Sequence, residues 1–272
     1  MRGDYFILNN QLTPTGKWDE EQAQGVIVYE VVRTLQGIPL FFEDHYQRLL
    51  HSCELIGKKI NMNEELLFQQ FIDLGKKNNI TEGNITLKLI FNGDCYTQAL
   101  YFIPHSYPST EDYCTGVKVG FLDVERKNPE AKVEQGMKQK VKASAQEPDV
   151  YEVMLVDNDG LITEGSRSNM VFVKEGSLYT CPLNKVLKGI TLLKVLEIAS
   201  EEKIPTIFEA VPQKDIASFD ALFITGTSPR ILPVASAGTT TFDVQNPVMR
   251  RLMEIYNQRI EEDINTMKKK LM

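Results

Sequence analysis

Apolar positions along this chain switch between a helical and an extended period. In "EDHYQRLLHSCELIG", Tyr46, Leu49, Leu50, Cys53 and Ile56 recur at helical spacing, and Gly57 supplies the stop. "NEELLFQQFIDLG" predicts a second helix, from a cap-like Asn63 to Gly75. "YFILN" (5–9) predicts a strand followed by a polar loop, and "GVIVYEVVRTLQGIPL" two strands about "QG". "NITLKLIF" and "TQALYFIP" form a hairpin pattern around "NGDCY". The first part thus reads βββααββ, an α+β layer domain ending near residues 105–116.

The remainder has a different texture. Strands are expected at 117–124, 151–157, 169–174, 177–180, 205–210 and 221–225, with helices at 190–202 and around 247–268. Short strands with turn punctuation and few helices suggest a closed or half-closed barrel. The expected fold is therefore α+β with two domains, a smaller one over 1–110 and a barrel-like one over 117–272, joined by the linker-like "SYPSTEDYCTG" (106–116). No internal repeat is evident.

Composition narrows the function classes. A net charge of -7 argues against a nucleic-acid or anionic-membrane surface. No apolar run approaches the ~20 residues of a membrane span. "MRGDYFILNN" lacks a signal-peptide core, and Cys53, Cys95, Cys114 and Cys181 are far apart with no CxxC. A cytoplasmic protein with reduced thiols is expected. His45, His51 and His105 show no metal-ligand spacing.

Four fragments carry candidate chemistry. "DGLITEGSRSNMVFV" (159–173) sets a carboxylate, Glu164, among small polar residues between two strands. A buried charge there needs a partner. "LKGITLLKVLEIASEE" opens a helix at Gly189, Ile190 and Thr191, where backbone N–H groups and a hydroxyl suit a phosphate. "LFITGTSPRILPV" ends a strand in Thr225, Gly226, Thr227 and Ser228, an arrangement that can form an anion-holding nest. Arg48 in "HYQRLL" flanks the apolar face of its helix and can meet a phosphate in fork geometry. Each alone is also an ordinary turn, cap or surface arginine. Together they invite a phosphorylated cofactor with a basic nitrogen, and pyridoxal 5'-phosphate (PLP) is one.

The order "YEVVR … HxxRL … ITEGSRSN … LKGIT … TGTSxxxxPV" resembles the fold-type IV PLP enzymes over residues 20–235. That family includes branched-chain aminotransferases, D-amino-acid aminotransferases and aminodeoxychorismate lyases. The resemblance implies a small α/β layer domain, a larger pseudo-barrel domain and a homodimer. It implies that Glu164 contacts the PLP nitrogen and that Asn169 braces its loop. Arg48, Gly189, Ile190, Thr191, Gly226 and Thr227 would hold the phosphate, and Tyr29 would face the substrate. The family's Schiff-base lysine lies some thirty-odd residues before the glutamate. Lys132 is 32 residues upstream (164 minus 132), and Lys138 is the second candidate.

For the substrate carboxylate, the amides near Thr227 and Ser228, together with Arg33 and Arg230, are candidates; strand alternation puts Arg33 on Tyr29's face. "LIFNGDCY" lacks the Arg-x-His and Arg-Gly pairs of the D-amino-acid enzymes and lyases and is closer to the branched-chain version. The expected activity is amino transfer between an amino acid and a 2-oxo acid, branched-chain type. The alternative is a lyase forming 4-aminobenzoate and pyruvate. Partners are small molecules, with no nucleic acid or membrane.

Overall fold

The computed structural model describes residues 1–17, 25–126, 128–134 and 149–271. The chain folds into two units. The first comprises Met1–Ser106, Ala131–Glu134 and Ile260–Met272, and the second Tyr107–Glu130 and Gln135–Arg259.

In the first unit, β1 (Arg2–Leu8), β2 (Gln11–Pro14), β3 (Val26–Leu35) and β4 (Ile38–Pro39) precede α1 (Phe42–Leu55) and α2 (Glu64–Asn78). The hairpin β5 (Gly83–Asn92) and β6 (Cys95–Ile103) follows, and the sheet order is β2-β1-β6-β5-β3-β4. The hairpin turn falls at "NGDC" as read, with Asn92 opposite Cys95 and Gly93 at φ 63. Asn63 caps α2 by accepting from the Leu66 amide at 2.8 Å. That helix runs past Gly75 to a left-handed Asn79, which performs the glycine's expected role.

Alternation along β3 decides the two faces of this sheet. Val28 and Val32 join Leu49, Phe71, Leu74, Leu87, Leu89 and Leu100 in one core cluster against α1 and α2. Each such side chain contributes about 1.5–3 kcal/mol on burial. Tyr29, Val31 and Arg33 therefore lie on the opposite face.

The second unit holds α3 (Thr110–Thr115), β7 (Val117–Asp123), β8 (Val150–Val156), β9 (Leu161–Gly165), β10 (Asn169–Lys174), β11 (Ser177–Thr180) and α4 (Ile190–Glu201). It continues with β12 (Thr206–Phe208), β13 (Val211–Pro212), β14 (Ala221–Gly226), β15 (Arg230–Ala237), β16 (Thr240–Thr241) and α5 (Pro247–Lys270). A curled sheet runs β12-β11-β10-β14-β15-β7-β8-β9-β13, with β16 on β15. Its core includes Met154, Ile162, Phe172, Leu222, Ile224 and Leu232.

Several details differ from the sequence reading: β2 falls in the expected polar loop, and β9, β13, β15 and β16 were not foreseen. The linker-like stretch contains α3, started by a capping box between Ser109 and Asp112. Ala131–Glu134 belongs to the first unit because it pairs with β3. The end of α5 belongs there too, since Asp263 accepts from the Phe41 amide at 2.8 Å.

Candidate active site

Lys132 is held by its backbone. Its carbonyl accepts from the Tyr29 amide at 3.1 Å, Glu134 donates its amide to Ile27 at 2.9 Å, and Val133 bridges Val28 in antiparallel sense. The Lys132 amide donates to the Ser52 hydroxyl of α1 at 3.2 Å. Residues 132–134 thus run along the edge of β3 through a single bridge, where β4 pairs only with residues 34–35. The Lys132 ammonium lies 4.9 Å from the centre of the Tyr29 ring. The alternative lysine, Lys138, with Lys140 and Lys142, lies outside the described residues.

Arg48 is buried and meets a carboxylate the sequence reading did not single out. Its Nε donates to Glu30 Oε1 at 2.8 Å and its Nη2 to Oε2 at 2.6 Å. His45 Nδ1 lies 2.8 Å from the same Oε2. Burial alone would raise the Glu30 pKa, but the charge and hydrogen bonds of Arg48, with those of His45, hold it well below the usual carboxylate range. Burial pushes the His45 pKa down, and its bond to Glu30 opposes this only in part. Glu30 was legible in principle, as a carboxylate on the core face of an apolar strand. Arg33, also in β3, is buried at 9% exposure.

In the second unit Glu164 is 3% exposed, on β9. Its Oε2 accepts from the Leu187 amide at 3.3 Å, and Oε1 lies 3.0 Å from Arg126 Nε. The latter pair is a charge contact without hydrogen-bond alignment. Arg126 also donates to the Ser166 carbonyl at 3.3 Å, so it ties Glu164 to the loop that follows.

That loop is fastened by a second buried acid. Glu152 on β8 accepts from the Ser166 hydroxyl at 3.1 Å, the Ser168 hydroxyl at 3.0 Å and the Arg167 amide. Burial pushes the Glu152 pKa up, against the lowering effect of Arg167 and these bonds. Gly165 is required by close approach: a Cβ there would lie 2.7 Å from Met170 Cε and 2.9 Å from Glu152 Oε1.

Asn169 is buried and donates to the Leu187 carbonyl at 2.8 Å. Leu187 is therefore hydrogen-bonded to both Asn169 and Glu164. Gly189 caps α4 without a side-chain bond, and a Cβ on it would collide with Asn169 Oδ1. Ile190 and Thr191 are buried. The Thr191 hydroxyl lies 3.3 Å from the Tyr256 hydroxyl of α5, so the expected outward hydroxyl is directed at a neighbouring helix. Gly226 pairs with Arg230 across the β14–β15 turn, and Thr227 and Ser228 form that turn. Arg230 adopts φ 57 and donates to Asn257 of α5 at 3.1 Å. The Thr225 hydroxyl beside them is buried with no hydrogen-bond partner among the described residues.

The structure therefore gathers Tyr29 and Lys132 in one group, and Glu164, Asn169 and Gly189 in another. Arg126, Glu152 and Tyr256 were not foreseen, because each acts through strands or helices remote in sequence.

The amino-transferase class IV family model matches residues 27–237, and the chain belongs to that family. It is accordingly an enzyme of the class IV aminotransferases. It is 29% identical over 225 residues to the D-alanine aminotransferase of Bacillus licheniformis, covering 77% of this chain and 78% of the relative. It is 31% identical over 243 residues to a Thermotoga maritima protein named "Probable branched-chain-amino-acid aminotransferase", with 86% of each covered. The crystal structure of the Escherichia coli branched-chain amino acid aminotransferase superposes with a TM-score of 0.85 at 22% identity over 95% of each chain. The last comparison establishes the two-unit α+β fold.

Proposed function

We propose that this chain is a PLP-dependent aminotransferase moving an amino group between an amino acid and a 2-oxo acid, with branched-chain donors preferred. The residues present fit the cofactor. Lys132 has an amine on a strand edge fixed by three backbone bonds, and Arg48 has its guanidinium set by a buried acid. Glu164 is a buried carboxylate suited to a ring nitrogen. The uncapped start of α4 and the unpartnered Thr225 hydroxyl suit a phosphate. When bound, PLP supplies a ring that accepts electrons from the substrate's α-carbon.

Lys132 would hold the aldehyde carbon and yield that place to the substrate's amine. The Lys132 Nζ would be the base that takes and holds the proton of the substrate's α-carbon. Glu164 would keep the ring nitrogen protonated. Arg48, with Gly189, Ile190, Thr191, Gly226 and Thr227, would anchor the phosphate. The single observation that carries this reading is the tethering of Lys132 to β3 with its amine over Tyr29. Branched-chain preference is supported by the Thermotoga maritima relative and by the "LIFNGD" hairpin. A homodimer and a cytoplasmic setting are part of the same proposal.

The test is direct. Purified protein with PLP should absorb in the visible, and borohydride should fix the cofactor on the peptide containing residue 132. A donor panel with 2-oxoglutarate or pyruvate then gives the specificity. Pyruvate with 4-aminobenzoate from aminodeoxychorismate would replace transferase by lyase. Fixation elsewhere, or none, would sink the reading.

A further inference from the structure

The two anion cradles of the second unit meet at one residue. Asn169 is the Cα partner of Thr225 across the β10–β14 pair, and a Cβ on Gly189 would collide with Asn169 Oδ1. The start of α4 and the end of β14 therefore both adjoin Asn169. Buried hydroxyls gather here. That of Thr225 has no hydrogen-bond partner among the described residues. That of Thr191 lies 3.3 Å from the phenol of Tyr256, a side chain left 4% exposed. The next residue of α5, Asn257, accepts from Arg230 at 3.1 Å, and Arg230 pairs with Gly226 to close the β14–β15 turn. Neighbouring residues of α5 thus hold one cradle each.

We infer that Tyr256 is a positioning residue for the cofactor's phosphate: its phenol donates to the Thr191 oxygen, which leaves the Thr191 proton for the anion. This rests on the aminotransferase reading and adds to it a residue that does not itself touch the cofactor. A threonine hydroxyl has one proton to give and two lone pairs. A phosphate at neutral pH offers mainly acceptor oxygens. A Thr191 hydroxyl that spent its proton on Tyr256 would turn a lone pair to the phosphate. With the phenol as donor, the bonds run one way, from Tyr256 to Thr191 to the anion, and each polarises the next.

The competing account is a pin that merely fastens α5 to α4. That junction is already fastened by Arg251 on Glu202, at 3.0 Å, and by Arg259 on Glu201. Elsewhere α5 is tied by Arg250, which donates to the carbonyls of Val244 and Tyr113 at 2.8 Å and of Cys114 at 3.0 Å. Leu252, Ile255 and Ile260 add buried apolar contact. A further pin at Tyr256 would need only a ring. The buried phenol oxygen, set against a hydroxyl at the helix start, is what the pin leaves unexplained.

The experiment uses the full chain with Tyr256→Phe, Thr191→Val and the double variant. Borohydride fixation at residue 132 is measured first in the wild type. Its absence would overturn the aminotransferase reading, while the phosphate measurement below, made on apoprotein, would still decide the role of Tyr256. Tyr256→Phe should weaken PLP binding about 3- to 10-fold, the scale of one hydrogen bond. Its affinity for pyridoxal, which lacks the phosphate, should stay at the wild-type value. Adding Tyr256→Phe to Thr191→Val should cost nothing more, because the two residues act through one bond. Inorganic phosphate at a fixed concentration should raise the melting temperature of wild-type apoprotein, and raise that of Tyr256→Phe by less. Equal losses for PLP and pyridoxal would establish the pin and overturn the inference. Unchanged PLP affinity in Tyr256→Phe, full additivity in the double variant, or an equal phosphate-induced rise in both proteins would each overturn it as well.

Discussion

Arg48 gives two of its nitrogens to the two oxygens of Glu30, at 2.8 and 2.6 Å, in a site where both side chains are almost completely buried. The fork fixes the plane of the guanidinium before any ligand arrives, so little side-chain entropy is left to lose on binding an anion. Glu30→Ala would strand that cation. It should cost about 3–5 kcal/mol, because a lone buried charge is worse than no pair. Urea unfolding of the apoprotein measures this. A loss below about 1 kcal/mol would mean Arg48 finds another partner.

The same cluster sets the acid response. His45 has a folded pKa below its unfolded value of about 6.5, so the unfolded state takes up protons first as pH falls. Its stability contribution is complete above about 6.5 and is lost progressively below. Glu30, also depressed, adds a second loss that begins below its unfolded value of about 4.3. Wild-type unfolding free energy should therefore decline from pH 7 to 5. His45→Gln should flatten that part and keep the steeper fall at lower pH. An equal slope for variant and wild type over pH 7 to 5 would remove His45 from the account.

Glu164 is predicted to act on rate more than on cofactor retention. Glu164→Gln keeps the shape and an acceptor for the Leu187 amide while removing the charge. Holoenzyme should still fix PLP at residue 132, with kcat lowered about 10²–10³-fold, the usual scale for one electrostatic group. Single-turnover absorbance with the preferred donor separates the two effects. Retained kcat would show that the charge is not used.

Gly165→Ala tests the loop. Met170 can swing its terminal methyl aside, but the Glu152 carboxylate is pinned by three donors and must give way. A destabilisation of about 1–3 kcal/mol is expected, as for other overpacked sites. Glu152→Ala should cost about 1–3 kcal/mol for each donor left buried without an acceptor. Thermal melts of both variants check this.

Much of the fold was legible because its signals are local. The helical period around Leu49, the Asn63 cap and the "NGDC" turn all landed where the sequence put them. Glu164 stood out because a carboxylate in a run of small polar residues between strands needs a partner. Its partners did not stand out. Arg126 is 38 residues earlier (164 minus 126), and the Leu187 amide lies beyond two further strands. Thr191 shows the same limit: a helix-start hydroxyl reads as outward until Tyr256 arrives from α5.

The bridge of residues 132–134 to β3 has a practical bearing on how this protein can be cut. A fragment stopping at Ser106 would retain Tyr29 and Arg48 but leave the Val26–Tyr29 margin of its sheet with unsatisfied amides and carbonyls. Such a bare margin recruits other chains. Modules swapped among relatives at that boundary would carry the same defect. Any exchange that respects the protein's construction has to move Lys132 together with the sheet it is stitched to.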